Sequence, residues 1–149
     1  MARRYLGWRH LRRRTIAEDP TVILVDTSVI VAWLDKNHPH HHACAKAIEA
    51  WAQRDTLAVS AATFGELAAG GRTRDAVDED LRHFEKVPLD ADAAWRAGIA
   101  FRQYRRKDSD DPVLPDFFIR AQAAVLNSRH LTNDHRRTKV FADVDFEFV

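Results

Sequence analysis

The sequence has few of the features that mark secreted or membrane-spanning chains. It contains one cysteine, Cys44, among 149 residues, so no internal disulfide can form and we expect a reducing, cytoplasmic setting. The longest apolar run, VILVDTSVIVAWL at residues 22–34, is interrupted by Asp26, so we predict no membrane-spanning segment. Internal repeats and low-complexity tracts are also lacking, and the length suits one domain with its own core.

An excess of positive charge is lacking as well. The formal net charge is +1, and residues 1–20 carry six arginines against Glu18 and Asp19. The rest of the chain holds 17 basic and 20 acidic residues. Total charge therefore does not indicate a nucleic-acid-binding protein, and only local patches could do so.

Residues 1–21 are interpreted as a basic N-terminal extension ahead of a domain that spans 22–149. A solvated arm is the favoured interpretation, since short isolated helices are marginal in water. Two alternatives stay open. One is a basic helix with Tyr5, Trp8 and Leu11 on one face, and the other is a native protein that begins near Val22.

Short β-branched runs alternate with helical patterns from Val22 onward. Strands are predicted at 22–25, 56–59, 86–89, 130–132 and 144–149. Helices are predicted at 28–34, 39–54, 61–69, 75–85, 90–106 and 115–127, with a polar loop at 107–112. This alternation is typical of an α/β fold with a mostly parallel central sheet flanked by helices.

Four carboxylates lie where such a fold places its functional sites. Asp26 directly follows the strand VILV, and Asp134 follows the strand around 130–132. Glu66 lies one turn into the helix after the second strand, and Asp116 lies on the first turn of the last helix. Because sites in parallel sheets form beyond the carboxyl ends of the strands, all four are expected near one edge of the sheet.

Each carboxylate also has a purely structural interpretation. Asp26 and Asp134 could cap the segments that follow them, Thr63 and Glu66 form a T-x-x-E capping box, and Asp116 suits a helix N-terminus. Taken singly, these interpretations are favoured. Taken together, four carboxylates in one cleft would repel unless protonated or neutralised by a cation.

An all-oxygen ligand set suits a hard divalent ion such as Mg²⁺ or Mn²⁺. Such ions activate a bound water and stabilise charge on a phosphate and its leaving group. The four acids therefore predict metal-dependent hydrolysis of phosphodiester bonds.

The segments VILVDTSVIVAWL, SAATFGEL, LPDFFIRAQA and LTND, in this order, resemble the PIN-domain ribonucleases and, among them, the VapC-type toxins of toxin–antitoxin pairs. The resemblance covers residues 22–149, and the strand ending in D-T-S is its most specific element. It implies a PIN fold, Mg²⁺- or Mn²⁺-dependent endoribonuclease activity on RNA, a VapB-type antitoxin partner and a homodimer.

The family's acidic residues correspond to Asp26, Glu66, Asp116 and Asp134, which the resemblance implies as catalytic residues and metal ligands. Its accompanying hydroxyl residues correspond to Ser28 and Thr132, which could hydrogen-bond a carboxylate or a metal-bound water. The chain departs from the usual pattern in the extension before Thr21. It also departs after Asp116, where Phe117, Phe118 and Arg120 replace residues that are small in many relatives.

Two other function classes stay open at this point. The chain could be a PIN nuclease of RNA processing outside toxin–antitoxin systems, or a non-catalytic binding module with an ion in its acidic pocket. The histidines at 38 and 40–42 could suggest zinc, but Pro39 interrupts their spacing, and an exposed helix start is the favoured interpretation.

Overall fold

The computed structural model describes residues 22–105, 114–136 and 138–149. Five strands form one parallel sheet, in the spatial order β3-β2-β1-β4-β5. The strands are β1 (Val22–Val25), β2 (Thr56–Ser60), β3 (Glu85–Val87), β4 (Arg129–Thr132) and β5 (Asp145–Phe148). The α/β fold with a parallel sheet, predicted from the alternation of strands and helices, is therefore confirmed.

Six α-helices cover the sheet within the described residues. They are α1 (Thr27–Leu34), α2 (His41–Ala52), α3 (Ala61–Ala69), α4 (Arg74–Asp80), α5 (Ala91–Arg105) and α6 (Leu114–Leu126), and a short 3₁₀-helix spans Thr138–Phe141. None of these helices is long and apolar enough to cross a membrane.

Strand β1 is central and buried on both faces, which explains its continuous apolar sequence. Because successive side chains point to opposite faces, Ile23 and Val25 enter a core shared with α1–α4. Val22 and Leu24 enter a second core with α5, α6 and the 3₁₀-helix. The sheet therefore lies between two helical layers and is held rigidly from both sides.

Most predicted elements agree with the structure to within one or two residues at each end. The helix predicted at 75–85 is wrong in its second half, because α4 ends at Asp80 and the chain turns before β3 begins at Glu85. The buried side chains of Leu81 and Phe84 continue the helical spacing, but they point into the core from this turn. The 3₁₀-helix was not predicted.

Some predictions concern residues outside the described part of the chain. These are the basic extension at 1–21, with its possible helix around Tyr5, Trp8 and Leu11, and the polar loop at 107–112.

Candidate active site

The carboxyl ends of β1 and β4 meet where the strand order changes direction, with β2 on one side of β1 and β4 on the other. Asp26 is the first residue after β1, and Asp134 is the second after β4. Glu66 lies in the second turn of α3, and Asp116 lies in the first turn of α6. The sequence predicted these same positions for the four acids, near this edge of the sheet.

Asp26 is 5% exposed, and its side chain is held by hydroxyl groups. Its Oδ2 accepts hydrogen bonds from Thr132 Oγ1 at 2.7 Å and from Ser28 Oγ at 3.3 Å. Asp26 occupies the N-cap position of α1, but its side chain makes no capping hydrogen bond. The N-cap interpretation therefore does not account for this carboxylate, which is instead fixed across two strands.

Burial alone would raise the pKa of Asp26, because it disfavours the charged form. The effects that lower the pKa of Asp26 are together larger than this effect of burial. The nearby His130 imidazole, the Thr132 hydrogen bond and the charge of Arg120 lower the pKa to about 2. Asp26 is therefore a rigid, buried carboxylate that stays ionised at neutral pH.

The Glu66 carboxylate accepts a hydrogen bond from the hydroxyl of Thr27, the residue after Asp26. The Thr27 hydroxyl also shares a hydrogen bond of 3.0 Å with Thr63. The pKa of Glu66 is raised, first by burial and then by the negative charges of Asp116 and Asp26, against the lowering effect of Thr27. Glu66, Asp116 and Asp26 thus act on one another electrostatically.

The capping box proposed for Thr63 and Glu66 is wrong. Helix α3 begins at Ala61 and is capped by Ser60, whose Oγ accepts from the Ala62 N–H at 3.0 Å. Thr63 therefore lies inside the helix, and its hydroxyl contacts Thr27 rather than a free backbone N–H.

Asp134 has a different environment, since two arginines hold it. Its Oδ1 accepts from Arg136 Nε at 2.9 Å and from the Arg136 backbone N–H at 2.9 Å. Its Oδ2 lies 3.4 Å from Nη2 of Arg120, which is only 1% exposed. Burial would raise the pKa of Asp134, but the contacts to Arg136 and Arg120 lower it.

Sequence reasoning missed two buried basic side chains in this site. His130 is fully buried on β4, with Nδ1 3.1 Å from the Leu24 carbonyl and Nε2 3.7 Å from Asp26 Oδ2. A carbonyl only accepts, so Nδ1 carries a proton and Nε2 faces Asp26. Arg120 was noted only as a departure from the family pattern.

Both residues had a signal in the sequence. His130 precedes Thr132 by two residues, which places them on the same face of a strand. Arg120 follows Asp116 by four residues, which places them on the same face of a helix.

The acidic side chains of the site can be compared with the ligands that a divalent ion requires. Among the described residues, no three His, Cys, Asp or Glu side chains converge closely enough to hold a metal in this conformation. The chemistry of Asp26, Glu66 and Asp116 nevertheless fits a hard cation. Burial and the negative charges of Asp116 and Asp26 raise the pKa of Glu66, and a cation would offset both effects. These three supply the oxygen donors for such an ion, whereas Asp134 would have to share its oxygens with Arg136 and Arg120.

A parallel sheet with carboxylates gathered at its topological switch point defines the general class, an α/β domain with an acidic site beyond its strands. The particular family follows from sequence comparison. The chain belongs to the PIN domain family, whose model matches residues 23–147. No curated protein matches the sequence.

Solved structures of toxin–antitoxin proteins share the fold. VapBC2 from Rickettsia felis, bound to a DNA fragment from its promoter, matches with a TM-score of 0.70 and 19% identity, covering 86% of this chain and 98% of that one. VapBC-1 from nontypeable Haemophilus influenzae matches with a TM-score of 0.66 and 19% identity, covering 85% and 97%. VapC20 from Mycobacterium tuberculosis, described as a Sarcin-Ricin loop cleaving toxin, matches with a TM-score of 0.58 and 19% identity, covering 78% and 93%.

Proposed function

We propose that this chain is a metal-dependent endoribonuclease, the toxin of a VapBC-type toxin–antitoxin pair. The observation that carries the proposal is the buried Asp26 carboxylate, fixed by Thr132 and Ser28 at the switch point and joined electrostatically to Glu66 and Asp116. Membership of the PIN domain family supports it. So does the shared fold with VapC20, which is described as cleaving the Sarcin-Ricin loop.

In this proposal Asp26 and Asp116 would hold Mg²⁺ or Mn²⁺, and Asp134 would be a further ligand that shares its oxygens with arginine. When bound, the ion supplies an activated water and charge stabilisation on the phosphate. Glu66 is a ligand or the group that orients the water and accepts its proton. Its raised pKa suits a proton acceptor better than the strongly ionised Asp26 does.

Thr132 and Ser28 are positioning residues in this scheme. Their hydroxyl groups both donate to Oδ2 of Asp26, which fixes the direction in which the carboxylate points. A ligand held in this way loses little conformational freedom when an ion binds.

The proposed partners are an RNA substrate, a VapB-type antitoxin and a second copy of the chain. The antitoxin is proposed because the matched structures from R. felis and H. influenzae are VapBC pairs. An RNA-processing nuclease with the same site is the second candidate, because the acidic residues serve either role.

The decisive experiment compares cleavage of total cellular RNA by the parent protein and by Asp26→Asn, with Mg²⁺ or Mn²⁺ and with EDTA. Asp145→Asn is the matched control, because Asp145 is exposed and lies at the amino end of β5, away from the carboxyl ends of the strands where the acids lie. We expect cleavage by the parent and the control, and none by Asp26→Asn or in EDTA. Full metal-dependent activity in Asp26→Asn would refute the assignment of the site.

A second experiment separates toxin from processing enzyme. Expression of the parent protein should arrest growth, and co-expression of the protein encoded by the adjacent gene should relieve the arrest. Cleavage in vitro without growth arrest would favour the processing enzyme.

A further inference from the structure

Two aromatic rings lie stacked on the surface beside the acidic site. The rings of His135 and Phe148 are 4.2 Å apart between centroids and inclined by 14°. His135 is exposed, and Phe148 is 45% exposed. A phenylalanine with nearly half its surface in water contributes little to the core, so packing alone does not explain this pair.

The chain connects this pair directly to the site. His135 follows Asp134, and Phe148 is the register partner of Thr132, whose hydroxyl binds Asp26. The backbone N–H of Val149 donates to the Thr132 carbonyl at 3.0 Å. His135 is therefore next in sequence to one of the acids, and Phe148 lies one strand away from the residue whose hydroxyl binds another.

The pair is also built on a rigid base. Phe148 is nearly parallel to Phe146, with centroids 5.9 Å apart and planes inclined by 15°. Phe146 packs edge-on against the buried His130 ring at 5.6 Å, and the Arg120 guanidinium lies 5.9 Å from the Phe146 centroid. The orientation of the outer rings is thus set by the core before any ligand arrives, which lowers the entropic cost of binding a flat group there.

Single-stranded RNA presents flat bases that proteins bind by stacking on exposed aromatic rings, largely without regard to base identity. The guanidinium of Arg136, which is exposed although it binds Asp134, belongs to the same loop and has further N–H groups that can donate to a phosphate. An aromatic surface next to a phosphodiester-cleaving site therefore has the chemistry to hold a base.

We propose that the His135–Phe148 stack is a nucleobase platform for a nucleotide next to the phosphodiester held at the acidic site. This inference rests on the proposed ribonuclease function. It assigns His135 and Phe148 to RNA binding, with no part in the chemistry of cleavage.

The test measures binding by fluorescence anisotropy in the Asp26→Asn background, so that cleavage does not interfere. The probes are short labelled homopolymers of adenylate, cytidylate and uridylate, and an abasic ribose-phosphate oligomer of the same length. The variants are His135→Ala, Phe148→Leu and the ring-retaining His135→Tyr, with His83→Ala as the control. His83 is an exposed histidine that precedes β3 at the opposite edge of the sheet.

We expect His135→Ala and Phe148→Leu to weaken binding of the homopolymers by about ten-fold or more, and His135→Tyr and His83→Ala to bind normally. Binding of the abasic oligomer should be equal in all proteins. Unchanged homopolymer binding by both His135→Ala and Phe148→Leu would show that the stack is not a nucleobase platform. A protein partner would then be the better explanation of this exposed surface.

Thermal unfolding shows whether Phe148→Leu is folded, and the exposed His135 gives an independent result. A failure of the proposed function is distinguishable from a failure of the platform. In the first case, the parent protein with intact Asp26 binds the homopolymers but cleaves no RNA with any divalent ion. In the second case, the parent cleaves RNA and the ring variants bind normally.

Discussion

The Thr132 hydroxyl donates a 2.7 Å hydrogen bond to Asp26 Oδ2 and also accepts one from the Asp134 backbone N–H at 3.0 Å. One buried side chain thus fixes the carboxylate at the end of β1 and the loop that follows β4. This hydroxyl group joins the two sides of the switch point, so Thr132 is a structural link between two of the four acids.

Thr132→Val should therefore destabilise the protein and reduce its nuclease activity. A hydrogen bond to a buried charge contributes about 2 kcal/mol to the free energy of unfolding, and valine has nearly the shape of threonine. Loss of a group that orients a ligand typically lowers activity by about ten- to 100-fold. Urea unfolding and RNA cleavage measure the two effects. Thr132→Ser keeps the hydroxyl and should retain most activity, so equal losses in both variants would contradict this role.

Asp26 predicts a loss of stability in acid. Its pKa is about 2 in the folded protein against an ordinary value of 3.8, so the ionised form stabilises the fold. This contribution is complete above the ordinary pKa and is lost as the pH falls through the folded value. It amounts to about 2 kcal/mol.

Urea unfolding between neutral pH and pH 2 tests this, with Asp26→Asn as the non-titrating reference. Glu66 acts in the opposite direction at higher pH, so both proteins should also carry Glu66→Gln. Parallel curves for the two proteins would show that Asp26 is not held in its charged form.

Glu66→Gln should separate stability from metal binding. Burial and the charges of Asp116 and Asp26 raise the pKa of Glu66, so its ionised form destabilises the metal-free fold. The wild type should accordingly gain stability as the pH falls through this raised pKa. Glutamine keeps an acceptor for Thr27 without the charge, and we expect a higher melting temperature than that of the wild type in EDTA at neutral pH.

Added Mn²⁺ should raise the melting temperature of the wild type, because a ligand that binds only the folded state stabilises it. The same addition should have a much smaller effect on Glu66→Gln, with affinity reduced about ten-fold or more. Asp145→Asn serves again as the charge control. An equal response to Mn²⁺ in Glu66→Gln and the wild type would remove Glu66 from the proposed ligand set.

The sequence allowed the fold and the positions of the acids to be predicted, because both follow from local pattern. The apolar run before Asp26 predicts a buried parallel strand, and functional sites form beyond the carboxyl ends of such strands. The neutralisation of Asp134 was not predictable in the same way. The spacing of Arg120 from Asp116 places both on one helix face, but an arginine at such a position usually extends its charge to solvent. Only the packing of Phe146 and the loop around Arg136 shows that this one is buried.

For the ion pair between Arg120 and Asp134, we predict which of two single substitutions destabilises the protein more. Arg120 is 1% exposed, donates to the Arg136 carbonyl at 2.9 Å and forms an ion pair with Asp134. Asp134→Ala removes the ion-pair partner of that buried cation, which costs about 3 kcal/mol. Arg120→Met removes the buried charge and fills a similar volume, while Asp134 keeps Arg136 as a partner. We therefore expect Arg120→Met to be clearly less destabilising than Asp134→Ala.

The double variant Arg120→Met/Asp134→Ala separates this explanation from simple loss of contacts. If an uncompensated charge is the cause, adding Arg120→Met to Asp134→Ala should restore stability rather than lower it further. Urea unfolding of the four proteins completes the cycle. If the two losses of stability are additive, the 3.4 Å ion pair between Arg120 and Asp134 contributes no measurable free energy. Arg120 would then stabilise the fold only through contacts that do not involve Asp134, such as its packing against Phe146.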